Sequence, residues 1–289
     1  MIHRHILTCL FFLALIPLSA KAFPPPSPAG GNYLILDGVD DSAVLDFKTF
    51  GVLLPKGTDE LTVEAWVYPT TPPAGNVYAM ILSQQMEMSV ASDNGEWENI
   101  KEGIDWQTGD LFLIFRSHIT VKGKPATQGY IIALSPNQWN HIAFQSREKE
   151  TTAIVNDVAK ILPRKTTLAH DLAHFEHPKD FTLGGFGKKI KVFDNFFWGP
   201  FAGYIDEVRI SRVARYNVGK KGFTPREKFK KDAKTVALWH FDEPNGTQKF
   251  SDASGHAHHL TGQNGAKTGI PLAAEPHEKL ATTWGRLKQ

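Results

Sequence analysis

Two adjacent carboxylates, Asp206 and Glu207, stand in a run that alternates like a strand, FAGYIDEVRISRVAR at 201–215. Side chains alternate along a strand, so Tyr204, Asp206, Val208 and Ile210 are expected on one face. Ile205, Glu207, Arg209 and Ser211 are expected on the other. A carboxylate sharing a face with Val208 and Ile210 needs a partner, because an unpaired buried charge is costly. A bound cation is one such partner, and calcium takes roughly six to eight oxygen ligands from carboxylates, carbonyls and water. The competing reading is that such Asp residues cap turns and accept backbone hydrogen bonds.

Histidines and aromatics offer two further chemistries. His170, His174 and His177 are spaced to align on one face of a short helix, where three imidazoles could hold zinc or copper. Pro178 ends that segment, and the plainer reading is a polar surface excursion. Trp97, Trp106 and Trp198 lie in loop-like contexts, GEWEN, GIDWQTG and FFWGPF. Rings in loops can carry the C–H faces of sugars, since they supply large, fairly rigid contact area. Ordinary loop packing competes for each. Trp239, in the apolar run VALWHF, reads as core.

These residues need a scaffold, and the pattern around them is strand, turn, strand. Tyr33–Leu36, Ala43–Phe47, Leu61–Val67, Ala79–Ser83, Leu111–Arg116, Gly129–Leu134, His141–Ser146, Thr152–Val155, Phe181–Leu183 and Tyr204–Ser211 alternate or are rich in β-formers. No amphipathic helix precedes about residue 165. Many short strands with regular turn signals predict an all-β antiparallel sandwich. Residues 84–110, 164–180 and 185–200 read as long loops, the usual carriers of specificity. In the turn 37–41, Gly38 permits positive φ and Asp37 and Asp40 can satisfy local donors.

Composition bounds the setting. Residues 1–22 read as a signal peptide, with Arg4 in the charged region, Ile6 to Leu18 apolar and Ala20-Lys21-Ala22 as the cleavage site. That apolar stretch is shorter than the roughly 20 residues a spanning helix needs. The expectation is a secreted, periplasmic or cell-surface protein with no membrane span in the mature chain. Its one cysteine, Cys9, falls in the signal, so no disulfide or thiolate site is expected. Removing Arg4 and Lys21 leaves 30 basic against 30 acidic residues. A balance near zero argues against nucleic acid as partner. The local run Lys188 to Lys191 and the cluster Arg226 to Lys234 read as solvated loop faces. Residues 23–31, FPPPSPAGG, read as a linker, 32–270 as the folded domain and 271–289 as a peripheral tail.

Four segments in order resemble the laminin-G-like, concanavalin A-like lectin/glucanase superfamily. They are NYLILDGVDDSAVLDF at 32–47, LTVEAWVYP at 61–69, NQWNHIAF at 137–144 and FAGYIDEVRIS at 201–211. The resemblance implies a concanavalin A-like jelly roll in which Trp66, Trp139 and His141 are core-strand residues. It implies a calcium held by Asp206 with backbone carbonyls around Asp37 and Gly38; Asp40, Asp242 and Asp252 are weaker candidates. It makes Asp157, where the family has a hairpin Gly, a point where the turn is expected to be strained or of a different type. The segment 236–262 resembles the opening of such a domain, and is expected to add strands to the same one. Paired catalytic carboxylates of the glucanase kind, E-x-D-x-x-E or E-x-D-x-E on one strand, are not found, and Glu148, Glu150, Glu96 and Glu98 are poor substitutes. The function expected is non-catalytic binding of extracellular glycan or polysaccharide. A surface-protein adhesion module is the alternative, and a glycoside hydrolase the third.

Overall fold

Alternation decides the strands. In the segment 61–69 the side chains of Leu61, Val63, Ala65 and Val67 enter the apolar core, so Thr62, Glu64, Trp66 and Tyr68 take the opposite face. All nine residues are buried, which means both faces of this strand are covered.

The computed structural model describes residues 24–55, 58–84, 86–92, 111–121, 124–147, 150–163, 179–193, 195–218 and 224–270. In chain order these form β1 (Tyr33–Asp37), β2 (Ser42–Leu45), α1 (Phe47–Phe50), β3 (Leu61–Pro69), β4 (Val77–Ser83) and β5 (Met86–Ser92). Then come β6 (Leu111–Val121), β7 (Lys124–Leu134), β8 (Asn140–Arg147), β9 (Glu150–Val155), β10 (Val158–Pro163) and β11 (Phe181–Leu183). The last are β12 (Ile190–Phe193), β13 (Phe196–Pro200), β14 (Ala202–Ser211), β15 (Thr235–Trp239), β16 (Lys249–Phe250), β17 (Leu260–Gln263) and β18 (Lys267–Gly269).

The first sheet runs β10-β9-β8-β3-β14-β1-β18, with β15 also paired to β14. The second runs β16-β17-β2-β11-β4-β5-β6-β7, with the hairpin β12–β13 joined to β4 through a parallel pairing. One apolar cluster draws on both sheets, from Val63, Phe144, Ile205 and Trp239 to Ala79, Val90, Leu113 and Phe181. The architecture is the expected antiparallel β-sandwich. The segment 236–262 supplies β15 to the first sheet and β16–β17 to the second, so it completes this sandwich's sheets.

Three local expectations change. Phe47 opens a single helical turn instead of ending a strand. Asp46 accepts from Thr49 N at 2.9 Å, and Gly51, at φ 68°, ends the turn. Strand β5 and the hairpin β12–β13 occupy stretches read as loops. In β5, Met88 and Val90 enter the core while Glu87 and Ser89 are buried on the other face, so polar residues hide the strand signal. At the β9–β10 hairpin, Asn156 rather than Asp157 takes the left-handed position, at φ 54°. Its side chain accepts from His141 N at 2.9 Å, and Asp157 avoids the strain.

The largest correction concerns β14. Asp206 pairs with Trp66 but Arg209 pairs with Glu64, so β14 has one residue too many and bulges between them. Glu207 sits at the bulge in the left-handed region, φ 52°. The extra residue shifts the alternation: Ile205, Val208 and Ile210 all enter the core. Asp206 therefore faces away from Val208 and Ile210, with Tyr204 and Arg209.

Candidate functional site

On the outer face of the first sheet, register brings opposite charges together. Glu64 of β3 lies beside Arg209 of β14. Arg209 Nε donates to Glu64 Oε1 at 2.7 Å, and its Nη2 lies 2.7 Å from the same oxygen. Tyr216 OH donates to Glu64 Oε2, and His141 Nε2 stands 3.4 Å from it. Burial alone would raise the Glu64 carboxyl, but the hydrogen bond from His141, the Arg209 charge and Tyr216 outweigh it and hold the group below its ordinary range. The Tyr216 hydroxyl is pushed far up by burial and then by Glu64. His141 is thus the buried, hydrogen-bonded residue expected from the sequence.

The same face fastens the segment after β14. Trp66 Nε1 donates to Arg226 O at 3.1 Å, Arg209 Nη1 to Lys230 O at 3.0 Å, and Phe229 N to Glu207 Oε2 at 2.6 Å. Arg209 also lies 4.6 Å above the Phe229 ring. Arg215 grips Asp232 through two bonds of 2.8 and 2.9 Å, which hold the Asp232 carboxyl well below the usual range. Beside these contacts opens a cavity of about 440 Å³, lined by Arg209, Arg215, Tyr216, Arg226, Lys230, Lys231, Asp232 and Lys234 among others. Its walls offer cationic donors. Among the described residues of these walls the one carboxylate, Asp232, is already held by Arg215.

Further along the same sheet, four rings meet. Tyr33 packs edge-on against Trp139 and Tyr204, at 5.4 and 5.0 Å between centroids, and Tyr68 against the same two, at 5.6 and 5.8 Å. Tyr33 and Tyr68 are buried, while Trp139 and Tyr204 are partly exposed. Trp139 Nε1 donates to Pro25 O at 3.0 Å, which fixes its ring. Burial raises the phenols of Tyr33, Tyr68 and Tyr204, so all three stay neutral hydroxyls.

The residues singled out from sequence are dispersed. Asp206 is fully buried; it accepts from Ser27 Oγ and, at 2.8 Å, from Glu207 N. Burial drives its carboxyl well up, and the neighbouring Glu207 and Asp242 charges add to that. Asp37 pairs with Ala202, four residues from Asp206, so the two lie about 13 Å apart along the sheet. The structure does not bring them into one calcium site. Asp206 instead meets Ser27 Oγ and Glu207 N. Asp37, Asp40 and Asp41 do cluster, with one oxygen of each within 4.8 Å of the others. Asp37 Oδ1 there accepts from Val39, Asp40 and Asp41 N at 2.8, 3.3 and 3.4 Å. Gly38 takes the expected positive φ, 77°.

Asp242 pairs with Lys228 at 2.7 Å. Asp252 caps a turn, accepting from Leu238, Ser254 and His258 N. Trp198 is 2% exposed and packs with Tyr78, Met80 and Phe186, a packing role instead of a ligand-facing one. Trp97, Trp106, His170, His174, His177 and the signal segment lie outside the described residues. Sequence reasoning passed over the Glu64–Arg209 pair, the four-ring group and the cavity. The signal for the first was a Glu and an Arg at outward positions of two apolar strands.

A laminin-G family model, described as the concanavalin A-like lectin/glucanases superfamily, matches residues 37–216. No curated protein matches the chain. Among solved structures, the chain is similar to a heptameric SAP-like pentraxin from Limulus polyphemus, at 12% identity and TM-score 0.39 over 64% of this chain and 78% of that one. It is also similar to the CBM40 of the Ruminococcus gnavus IT-sialidase bound to alpha2,3 sialyllactose, at 12% identity and TM-score 0.40 over 63% and 92%. For tailspike protein 2 of bacteriophage CBA120 the values are 11% and 0.47, over 76% of this chain and 31% of that one. The chain thus spans under a third of that tailspike chain. Similarities this distant carry no argument about a ligand.

Proposed function

The chain belongs to the concanavalin A-like lectin/glucanase superfamily, and on that premise we propose that it is a secreted, non-catalytic module that binds extracellular glycan. The observation that carries this is the four-ring group of Tyr33, Tyr68, Trp139 and Tyr204. Aromatic rings with an apolar face and a polar edge suit sugars, which present C–H faces beside hydroxyls. Trp139 and Tyr204 offer partly exposed surface, and the neutral phenols can donate or accept. The rings are held by their own packing, which lowers the ordering cost of binding.

Binding without turnover is favoured by the state of the carboxylates nearby. Glycoside hydrolysis needs two carboxyl groups about 5–9.5 Å apart flanking the bond, one of them able to move a proton. On this face Glu64 and Asp232 are locked by arginines, and Asp206 is closed off beneath Ser27. None is poised to reach a substrate. Calcium enters the proposal as a structural ion only. The residues that would hold it are Asp37, Asp40 and Asp41, whose carboxylates are the hard oxygen donors that ion takes.

A glycan array probed with residues 23–289, as wild type and as Trp139→Ala, tests the reading. Selective binding that falls at least tenfold in the variant is expected. No glycan bound, or a variant that binds as well as wild type, would contradict it.

A further inference from the structure

Four cations on the cavity wall have no acidic partner among the described residues. Arg226, Lys230, Lys231 and Lys234 are exposed, and no ion pair with another described residue reaches them. Arg209 and Arg215, by contrast, are neutralised by Glu64 and Asp232. The surplus is local, since the mature chain is expected to be near neutral overall.

The surplus is also held in place. Buried or partly buried side chains of the first sheet bond main-chain atoms of the segment that bears these cations, at Arg226 O, Phe229 N and Lys230 O. Lys234 O accepts from Arg212 N at 2.9 Å, and Lys234 N donates to Asp232 at 2.9 Å. A merely solvated loop needs no such anchors. Glu207, which receives Phe229 N, sits at the bulge in a left-handed conformation that costs about 1–3 kcal/mol. Like charges gathered on one wall repel one another, and an anion in the cavity relieves that repulsion. This revises the reading of Arg226 to Lys234 as a solvated loop face.

We propose that this cavity binds the anionic group of an acidic sugar, a sulfate ester or a uronate carboxylate, on the glycan recognised by the same sheet. The inference rests on the glycan-binding reading and specifies its ligand class. Arg226 supplies a planar fork suited to two oxygens of one such group, and the lysines supply point charges around it. About 440 Å³ admits one acidic sugar residue and excludes a longer folded segment.

The test is calorimetric titration at low and at moderate salt. The probes are a sulfated hexasaccharide, a uronate hexasaccharide without sulfate, a neutral hexasaccharide and inorganic sulfate. The proteins are wild type, Lys230→Gln/Lys231→Gln/Lys234→Gln, and a control with the same charge change, Lys188→Gln/Lys189→Gln/Lys191→Gln. All six positions are exposed, so the folds should hold. Expected is tighter binding of an acidic hexasaccharide than of the neutral one. That affinity should fall roughly tenfold or more in the cavity variant, as for loss of charge-assisted hydrogen bonds. It should be unchanged in the control. Equal losses in the two variants would overturn the inference, as would inorganic sulfate binding as tightly as the sugar. Neutral sugar bound as well as the acidic ones would sink the inference and leave the glycan-binding reading standing. No hexasaccharide bound at all would sink both.

Discussion

Replacing Arg209 by Met should cost this protein more than almost any other single change to a charged residue. Arg209 is 3% exposed and Glu64 is fully buried, and two contacts of 2.7 Å join them. The variant also loses the bond to Lys230 O and the contact with the Phe229 ring. Breaking a buried pair by removing one partner costs about 3–5 kcal/mol, because the remaining charge is stranded. For a domain of this size each kcal/mol moves the melting temperature by about 2–4 °C, so a drop of roughly 6–20 °C is expected by calorimetry. The pH dependence has a definite sign. The folded Glu64 carboxyl titrates below its ordinary value, so its stabilising contribution is present above about pH 4.3 and is lost as pH falls through the folded value. The gap between wild type and Arg209→Met should therefore be widest near neutrality and narrow in acid. Glu64→Gln/Arg209→Met removes both charges and should recover part of the loss, with a coupling of about 2 kcal/mol. A single-variant loss under about 1 kcal/mol, or strictly additive losses in the double variant, would mean that Glu64 does not depend on Arg209 for its buried charge.

Other expectations follow from the same geometry. Asp206→Asn should be neutral or stabilising at pH 7–8: the folded carboxyl titrates above its ordinary range, so ionising it costs stability as pH rises, and the benefit should vanish near pH 4. Denaturant melts at the two pH values check this, and a large loss at pH 8 would contradict it. Gly38→Ala should destabilise by about 2 kcal/mol or more. Its φ of 77° disfavours a Cβ, which would stand 2.5 Å from Ala202 Cβ; an unchanged melting temperature would count against the turn geometry. If calcium raises the melting temperature, Asp40→Asn should abolish the rise and Asp206→Asn should preserve it. The reverse pattern would return the ion to Asp206.

The sandwich was legible because β3, β8 and β14 alternate plainly and Gly38 marks its turn. The bulge in β14 was not, because its left-handed residue is Glu207. A non-glycine residue at positive φ leaves no signature in the sequence, and its cost is met by bonds to Phe229 N and His240 that lie far along the chain. One extra residue there puts Asp206 on the face opposite Val208 and Ile210; the calcium expectation came from the resemblance and not from that facing. Strand β5 was hidden by Glu87 and Ser89, which are buried on a face where solvent-exposed polar residues would be the usual inference. The aromatic group was missed for a different reason. Tyr33, Tyr68, Trp139 and Tyr204 come from three strands and the turn before a fourth, and only the register of β1, β3, β8 and β14 brings them together. The cavity likewise depends on where residues 226–234 are anchored, which charge counting along the chain cannot reveal.

The most direct measurement is chemical-shift mapping by NMR of the labelled protein, residues 23–289, titrated with a sulfated hexasaccharide. Perturbations are expected only in two groups, around Trp139 and Tyr204 and within 209–216 and 226–234. Perturbations centred on the Asp37 turn or on the second sheet, or none at saturating ligand, would contradict it.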